Sequence, residues 1–358
     1  MPDLKKKSYD HTLLVTLFLI MIIGLVILYS TSAYNGEVKF HDSFYYLKKQ
    51  LFATGLGVVA MFVMAGTDYH FWKKFAIPAY LGAILLSIAV VLFGDEYNGS
   101  KRWLSLGPFS FQPSEYAKVA VILFLAYLVT RNVEKMSNIR TMLRIMLCVL
   151  PVVGLVGASN LSTAIIILGI AAVLIFVASP RYAQFIWMGV LGCGFMAVFL
   201  ALESYRLERI AIWRNPEQYE KGYQTLQGLY AIGSGGLFGR GLGESIQKLG
   251  FVPEAQNDMI FSIICEELGL VGAGFVLILF LILIWRFFVI ATHAEDLFGA
   301  LIGAGAMAHM MIQVILNISV VTNTIPNTGI TLPFISYGGT SVVFLLLEMG
   351  LVLSVSAG

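Results

Sequence analysis

The stretch FVPEAQNDMIFSIICEELGL, residues 251–270, decides how this chain is read. It closes the one long polar segment of an otherwise apolar sequence and enters a hydrophobic run that carries acids in with it. Asp258 stands where loop becomes membrane, and Glu266 and Glu267 lie two turns deeper. A charge in hydrocarbon costs about 2.5–3.5 kcal/mol even on lenient insertion scales. An acid kept there marks either a functional site or an ion pair with a specific partner, and for Asp258 the functional reading is the stronger.

Composition sets the class. Of 358 residues, 58% are hydrophobic and 12% charged, with a mean hydropathy of +0.83. A soluble domain carries about 25% charged residues. Half that fraction, spread between long apolar runs, describes an all-α polytopic membrane protein. The net charge is +2 and the one short basic tract is Lys5–Lys7, so no nucleic-acid partner is expected. The run after that tract is too long for a signal-peptide core and lacks a small-residue cleavage site, so it is expected to stay as a span. Cys148, Cys193 and Cys265 all fall in apolar runs and read as small buried hydrophobes, not as a disulfide or metal set.

Ten apolar runs are long enough, or nearly so, to span: about 12–33, 51–67, 75–94, 115–131, 144–159, 162–179, 184–202, 260–285, 297–321 and 334–356. An even count puts both termini on one side. That side carries Lys5, Lys6, Lys7, Lys73, Lys74, Arg131, Lys135, Arg140, Arg144, Arg181 and Arg286, against Lys39, Lys48, Lys49, Lys101 and Arg102 opposite. Basic residues favour the cytoplasmic side in short loops, so both termini are expected in the cytoplasm. The segment 203–257, between the seventh and eighth runs, becomes one long extracytoplasmic loop. Its own basic residues are discounted, because long loops cross largely regardless of charge.

Two external segments concentrate polar chemistry. In NGSKRWLSLGPFSFQPSEYAK, residues 98–118, the alternation Trp103-Leu104-Ser105-Leu106 suggests a short extended piece at the interface. Pro113 suits the first turn of a helix and Glu115 favours its N-terminus. Glu115 and Lys118 are then neighbours on one helical face, as a structural pair or as part of a site. The second segment opens with Arg206 and Arg209, then Arg214, and continues through Tyr223-Gln224 to GSGGLFGRGLGES and Lys248. It lacks GKS or GKT, so it is no Walker loop. Its glycines suit tight turns and close backbone approach. Basic residues beside such turns suit an anionic head group, and a plain solvated loop is the alternative.

Further on, His309, Gln313 and Asn317 recur every four residues and share one helical face, as interhelical glue or as a cavity wall. NTIPNTGITLPFISYGGTS, residues 323–341, is broken by Pro326, Gly329, Pro333, Gly338 and Gly339. Broken backbone at that depth is tolerated where it is buried in protein or lines a wet cavity. Glu348, deep in the last run, has no basic partner evident in the sequence.

Taken together, NGSKRWLSLGPFSFQPSEYAK, YQTLQGLYAIGSGGLFGRGLGESIQK, FVPEAQNDMIFSIICEELGLVG and TGITLPFISYGGTS resemble the SEDS family (shape, elongation, division and sporulation), whose members include FtsW, RodA and SpoVE. The resemblance covers essentially the whole chain, and the GLGES-QK wording is closer to the FtsW and SpoVE branch. The family's essential aspartate, in a pattern like PE-x-x-T-D-F-I-F, maps onto Asp258, with Asn257 and Met259 in place of the usual Thr and Phe. Where many members read Q-P-D-L-G-T, this chain reads Ala158-Ser159-Asn160-Leu161-Ser162-Thr163, so an amide stands for the acid.

What the resemblance implies is a ten-helix peptidoglycan glycosyltransferase of the bacterial cytoplasmic membrane, working beside a class B penicillin-binding protein. It would polymerise lipid II outside that membrane. Asp258 would be the general base, and undecaprenyl pyrophosphate would leave with inversion at the anomeric centre. Arg206, Arg209, Lys118, Lys248 and Arg102 are the candidate pyrophosphate ligands. Glu115, Glu254, Glu266, Gln313, Asn317 and Ser336 are candidate supports. A divalent cation, Mg or Mn, shared between phosphate and an acid is a further expectation. A lipid II flippase and a non-catalytic scaffold for a penicillin-binding protein are the alternatives. Catalysis needs an acid at the external mouth, and flipping does not.

Overall fold

A computed structural model describes residues 9–97, 100–106, 109–179 and 204–358, with a few positions between 186 and 194. In chain order the helices are α1 (His11–Phe40), α2 (Tyr45–Gly66), α3 (Tyr69–Lys73), α4 (Ala76–Phe93), α5 (Pro113–Arg131), α6 (Ile139–Ser159), α7 (Leu161–Ala178), α8 (Ser204–Arg214), α9 (Tyr223–Gly235), α10 (Ile260–His293), α11 (Leu297–Val321) and α12 (Gly339–Ser356). All but α3, α8 and α9 are long and apolar enough to cross a bilayer, giving nine candidate spans among the described residues. They coincide with nine of the ten expected runs. The remaining run, 184–202, is described at only a few positions. The protein is an integral membrane protein built of helices.

Local chemistry sets the boundaries. Asp10 caps α1, accepting from Leu13 N at 2.8 Å, and Asp296 caps α11 through Gly299 N at 2.8 Å. Pro113 occupies the first turn of α5, as its missing N–H allows. The alternating segment before it forms a small antiparallel ribbon of β1 (Asp95–Tyr97), β2 (Ser100–Leu106) and β3 (Phe109–Phe111), in that order. Asp10 also accepts from Arg286 and donates from its backbone N to Ser356 Oγ at 3.3 Å. These contacts hold both described ends of the chain at one end of the helical body.

The segment 203–257 is not a plain loop. It contains α8 and α9, and its glycine-rich stretch is built into a break in α10. Gly269 takes φ 66°, ψ −170° and interrupts that helix. The freed groups are met from the segment: Arg240 N donates to Glu266 O, Gly241 N to Glu267 O, Leu270 N to Gly236 O and Val271 N to Leu237 O. Broken helices survive in membranes only when neighbours satisfy their backbone in this way. The two backbones meet so closely that a Cβ on Gly239 would lie 2.2 Å from Glu267 O. Glycine therefore serves close approach here.

Two expectations about burial change. Cys265 is buried, but Cys148 and Cys193 are exposed on the outside of the helical body, because an apolar run in a membrane protein has a lipid-facing side as well as a core side. Glu348 has a partner after all: its Oε2 meets His309 Nδ1 at 2.7 Å.

Candidate active site

A cavity of about 1550 Å³ opens at the end of the helical body away from the chain termini, and Asp258 lies in its wall. Five segments converge there. The turn 251–259 brings Asp258 and Glu254, β2 brings Arg102, α8 brings Arg209, the first turn of α9 brings Gln224, and the irregular segment 323–331 brings Asn327 and Gly329. Phe52, Leu56, Phe111 and Phe344 line another part of the cavity, so one chamber offers both charge and hydrocarbon. That volume exceeds the roughly 300–1000 Å³ of ordinary small-molecule pockets.

Asp258 is held from several sides. Asn317 Nδ2 donates to the Asp258 carbonyl at 2.9 Å and to Ile330 O at 2.7 Å, locking the turn against segment 323–331. Gln224 Nε2 donates to Asp258 Oδ1 at 3.3 Å. Oδ2 would lie 3.9 Å from a Cβ placed on Gly329, and Arg102 Nη1 3.7 Å from the same point. Gly329 takes φ 68°, so a side chain there would be both strained and wedged between acid and arginine. Burial pushes the Asp258 carboxyl up to about 6, with Glu254 adding to the rise and Arg102 and Gln224 opposing it. Glu254 itself takes φ 51°, the left-handed region that costs a non-glycine residue about 1–2 kcal/mol. Asn257 holds it there, N to Glu254 O at 2.9 Å and Nδ2 to Oε2 at 2.7 Å.

Arg209 donates from Nη1 to Asn327 O at 3.1 Å, and Trp213 Nε1 to Asn323 O at 2.9 Å, so α8 is stitched to segment 323–331. The helix expected through Arg206 and Arg209 is present, but the side chain of Arg206 lies outside the described residues. Arg102 Nε donates to Ser159 O at 3.2 Å, tying the ribbon to the α6–α7 junction. At that junction Asn160 accepts from Thr163 N at 3.2 Å and caps α7, work an amide does as well as a carboxylate.

Two expected phosphate ligands are elsewhere. Lys118 is buried in α5, its Nζ 3.0 Å from Glu115 Oε1 and 3.0 Å from Gln313 Oε1. Lys248 is buried against Glu267 Oε1 at 2.7 Å and Ser30 Oγ at 2.9 Å. Neither lines the cavity, because each ammonium is already consumed by a buried acid. Glu115, Lys118, Gln313, His309 and Glu348 form one continuous polar spine between α5, α11 and α12; Gln313 Oε1 also meets His309 Nε2, at 2.9 Å. His309 and Gln313 of the stripe on α11 are thus interhelical glue, while Asn317 holds the Asp258 turn. Glu266 accepts from Ser245 Oγ at 2.5 Å and Ile246 N at 3.1 Å, pinning the turn beside the α10 break. Ser336 Oγ accepts from Leu332 N at 2.8 Å and shapes the entry to α12.

Lys48, Lys49, Lys221, Gln224 and Asn327 line the cavity without having been assigned roles from sequence. The two amides carry no charge or hydropathy signal. The lysines count, in the sequence, only as loop charges.

The family model for cell cycle proteins of the FtsW, RodA and SpoVE type matches residues 10–358. The chain belongs to the FtsW/RodA/SpoVE family. It is 41% identical to stage V sporulation protein E of Bacillus subtilis (strain 168), over 98% of both chains. It is 35% identical to the probable peptidoglycan glycosyltransferase FtsW of Geobacter sp. (strain M18), over 98% of this chain and 97% of that one. Among solved structures it is similar to a chain of a peptidoglycan synthase complex that coordinates polymerization and crosslinking, with TM-score 0.83, 30% identity and 98% of each chain covered. It is also similar to the rod shape determining protein RodA of Thermus thermophilus, with TM-score 0.71, 28% identity and 98% and 97% covered. The family resemblance carried by the four motifs therefore holds for the whole chain.

Proposed function

We propose that this FtsW/RodA/SpoVE-family protein is a peptidoglycan glycosyltransferase that polymerises lipid II at the outer face of the bacterial cytoplasmic membrane, with Asp258 as general base. The observation that carries this reading is the Asp258 carboxyl, raised to about 6 by burial in the wall of a cavity that also holds Arg102 and Arg209. A carboxyl of that pKa is about nine-tenths ionised at pH 7, so it can accept a proton while remaining a stronger base than an exposed aspartate. A sugar hydroxyl of one lipid-linked disaccharide gives its proton to Asp258 as its oxygen bonds to the anomeric carbon of another. The bond from that carbon to the pyrophosphate breaks on the opposite face, and undecaprenyl pyrophosphate leaves with the electron pair. One displacement inverts the centre and needs no covalent enzyme intermediate.

The departing pyrophosphate gains charge, and fixed cations lower the barrier only if they stand where that charge develops. Arg102 and Arg209 are the candidates the cavity supports, with guanidinium forks suited to phosphate oxygens. Lys48, Lys49 and Lys221 extend the positive wall. The apolar rings of Phe52, Phe111 and Phe344 suit the first isoprene units of a carrier lipid. Among the described residues no three His, Cys, Asp or Glu side chains are grouped to hold a metal ion. Those described residues make no protein metal site, and no step is assigned to a metal. The similarity to a chain of a synthase complex supports a class B penicillin-binding protein as partner.

The test is glycan polymerisation from lipid II by the purified protein together with its penicillin-binding partner. Polymer that disappears with Asp258→Asn is the expected result. Lipid II translocation without polymer, unchanged by Asp258→Asn, would show a flippase instead.

A further inference from the structure

Gln224 sits at the hub of a hydrogen-bond chain whose direction is fixed at its far end by the backbone. Gly329 N–H donates to Asn327 Oδ1 at 3.0 Å. A backbone N–H can only donate, so the Asn327 amide must present its oxygen to Gly329 and its nitrogen elsewhere. Asn327 Nδ2 donates to Gln224 Oε1 at 3.2 Å. That contact in turn commits the Gln224 oxygen, leaving its nitrogen for the opposite side. Nε2 of Gln224 then has two protons to place, and it places them on Pro253 O at 3.1 Å and Asp258 Oδ1 at 3.3 Å. Arg209 holds the same Asn327 from behind, through its carbonyl.

From this geometry we infer that Gln224 is a positioning residue for the proposed base: oriented by Asn327 and Gly329, it keeps Asp258 Oδ1 as a permanent hydrogen-bond acceptor. Oδ2, on the Gly329 side, is thereby left as the oxygen that takes the substrate proton. The inference rests on the reading of Asp258 as general base. Three segments far apart in sequence, 223–235, 251–259 and 323–331, are needed to build the chain. The amide also ties the carboxylate to the Pro253 carbonyl in its own turn, so carboxylate rotation and turn geometry are set together.

The chain has an electrostatic consequence. A donor to the ionised form of an acid lowers its pKa. Glu254 from the same turn opposes that effect, and Arg102 from β2 reinforces it. Lys48 and Lys49 of α2, Glu220 and Lys221 before α9, and Arg209 of α8 complete the charged lining of the cavity. A base must be ionised to act, so the rate falls as pH drops through its pKa. Losing the Gln224 donor therefore moves that fall to higher pH.

The experiment is the pH dependence of kcat/KM for lipid II polymerisation by the full-length protein with its penicillin-binding partner. Gln224→Met keeps the length of the side chain and removes both its donors. Asn327→Leu leaves Gln224 in place but removes the group that orients it. The acid limb is expected to move up by about one pH unit in Gln224→Met and by less in Asn327→Leu, with both deficits shrinking toward pH 9. If the limb stays at its parental pH while the rate falls equally at every pH, Gln224 merely packs and the inference is overturned. Should Gln224→Met fail to fold, the limb in Asn327→Leu decides the matter alone. Asp258→Asn separates the underlying reading: if that variant polymerises like the parent, Asp258 is not the base, wherever the limb lies.

Discussion

Two sets of buried acids lie within this helical body, and they behave differently. Glu115, Glu267 and Glu348 lie in the membrane helices, each meets a basic partner at 3.0, 2.7 and 2.7 Å, and none lines the cavity that Asp258 faces. Asp258 is held by an amide, a backbone and a more distant arginine, and it opens onto a chamber large enough for a glycolipid head group. The first set is closed and paired. The second is open, with a carboxylate that faces the chamber. An acid inside a membrane protein is thus weak evidence of chemistry by itself. Its pairing and its access decide what it does.

The closed set can be broken through its charges. Lys248→Met should strand Glu267 at zero exposure with only Ser30 to meet it. Removing one partner of a buried pair costs about 3–5 kcal/mol, so a marked fall in melting temperature is expected. An unchanged melting temperature would show that Glu267 finds another proton donor. Glu115→Ala and Lys118→Ala should each destabilise comparably, while the double variant costs less than the sum of the two, because the pair meets at 3.0 Å. Strict additivity in that cycle would contradict the contact.

In the open set, charge-conserving changes should matter for rate and not for folding. Arg209→Lys and Arg102→Lys keep the charge but lose the fork. A hydrogen bond to a charged group contributes about 1.5–3 kcal/mol, so each should lower kcat by roughly ten- to a hundredfold with the melting temperature kept. Lysine variants as fast as the parent would move the pyrophosphate contact to Lys48, Lys49 and Lys221. The smallest effect is expected at the α6–α7 junction. Asn160→Asp exchanges two equally good helix caps, so stability should change by less than about 0.5 kcal/mol. A large loss there would mean that the cavity tolerates no added negative charge at that wall.

Much of this was legible in the sequence, and the misses have physical causes. Hydropathy located nine described spans, because apolar length is what a bilayer demands. It missed the first turns of α2 and α6, which begin at Tyr45 and Ile139, since Lys48, Lys49, Arg140 and Arg144 ride on helix ends where charge reaches water. It placed the start of the last helix at 334 instead of 339, because TLPFISYGG is apolar but irregular. Asp258, Arg102, Arg209 and Glu254 were found as residue types and do share the cavity. Lys118 and Lys248 were misassigned because linear order does not reveal that a buried acid already holds each ammonium. Lys248 meets Glu267 only where the glycine-rich stretch folds into the α10 break. Gln224 and Asn327 went without roles because neutral amides acquire direction only from partners distant in sequence.

The contrast between open and closed acids comes to a head in one pair of variants measured side by side. Asp258→Asn and Glu267→Gln each replace a buried carboxylate with an amide of the same shape. Asp258→Asn should melt like the parent but polymerise lipid II at least about a hundredfold more slowly, the scale of a lost general base. Glu267→Gln should instead lose melting temperature, with whatever protein remains folded still active. Near-parental polymerisation by Asp258→Asn would contradict the account.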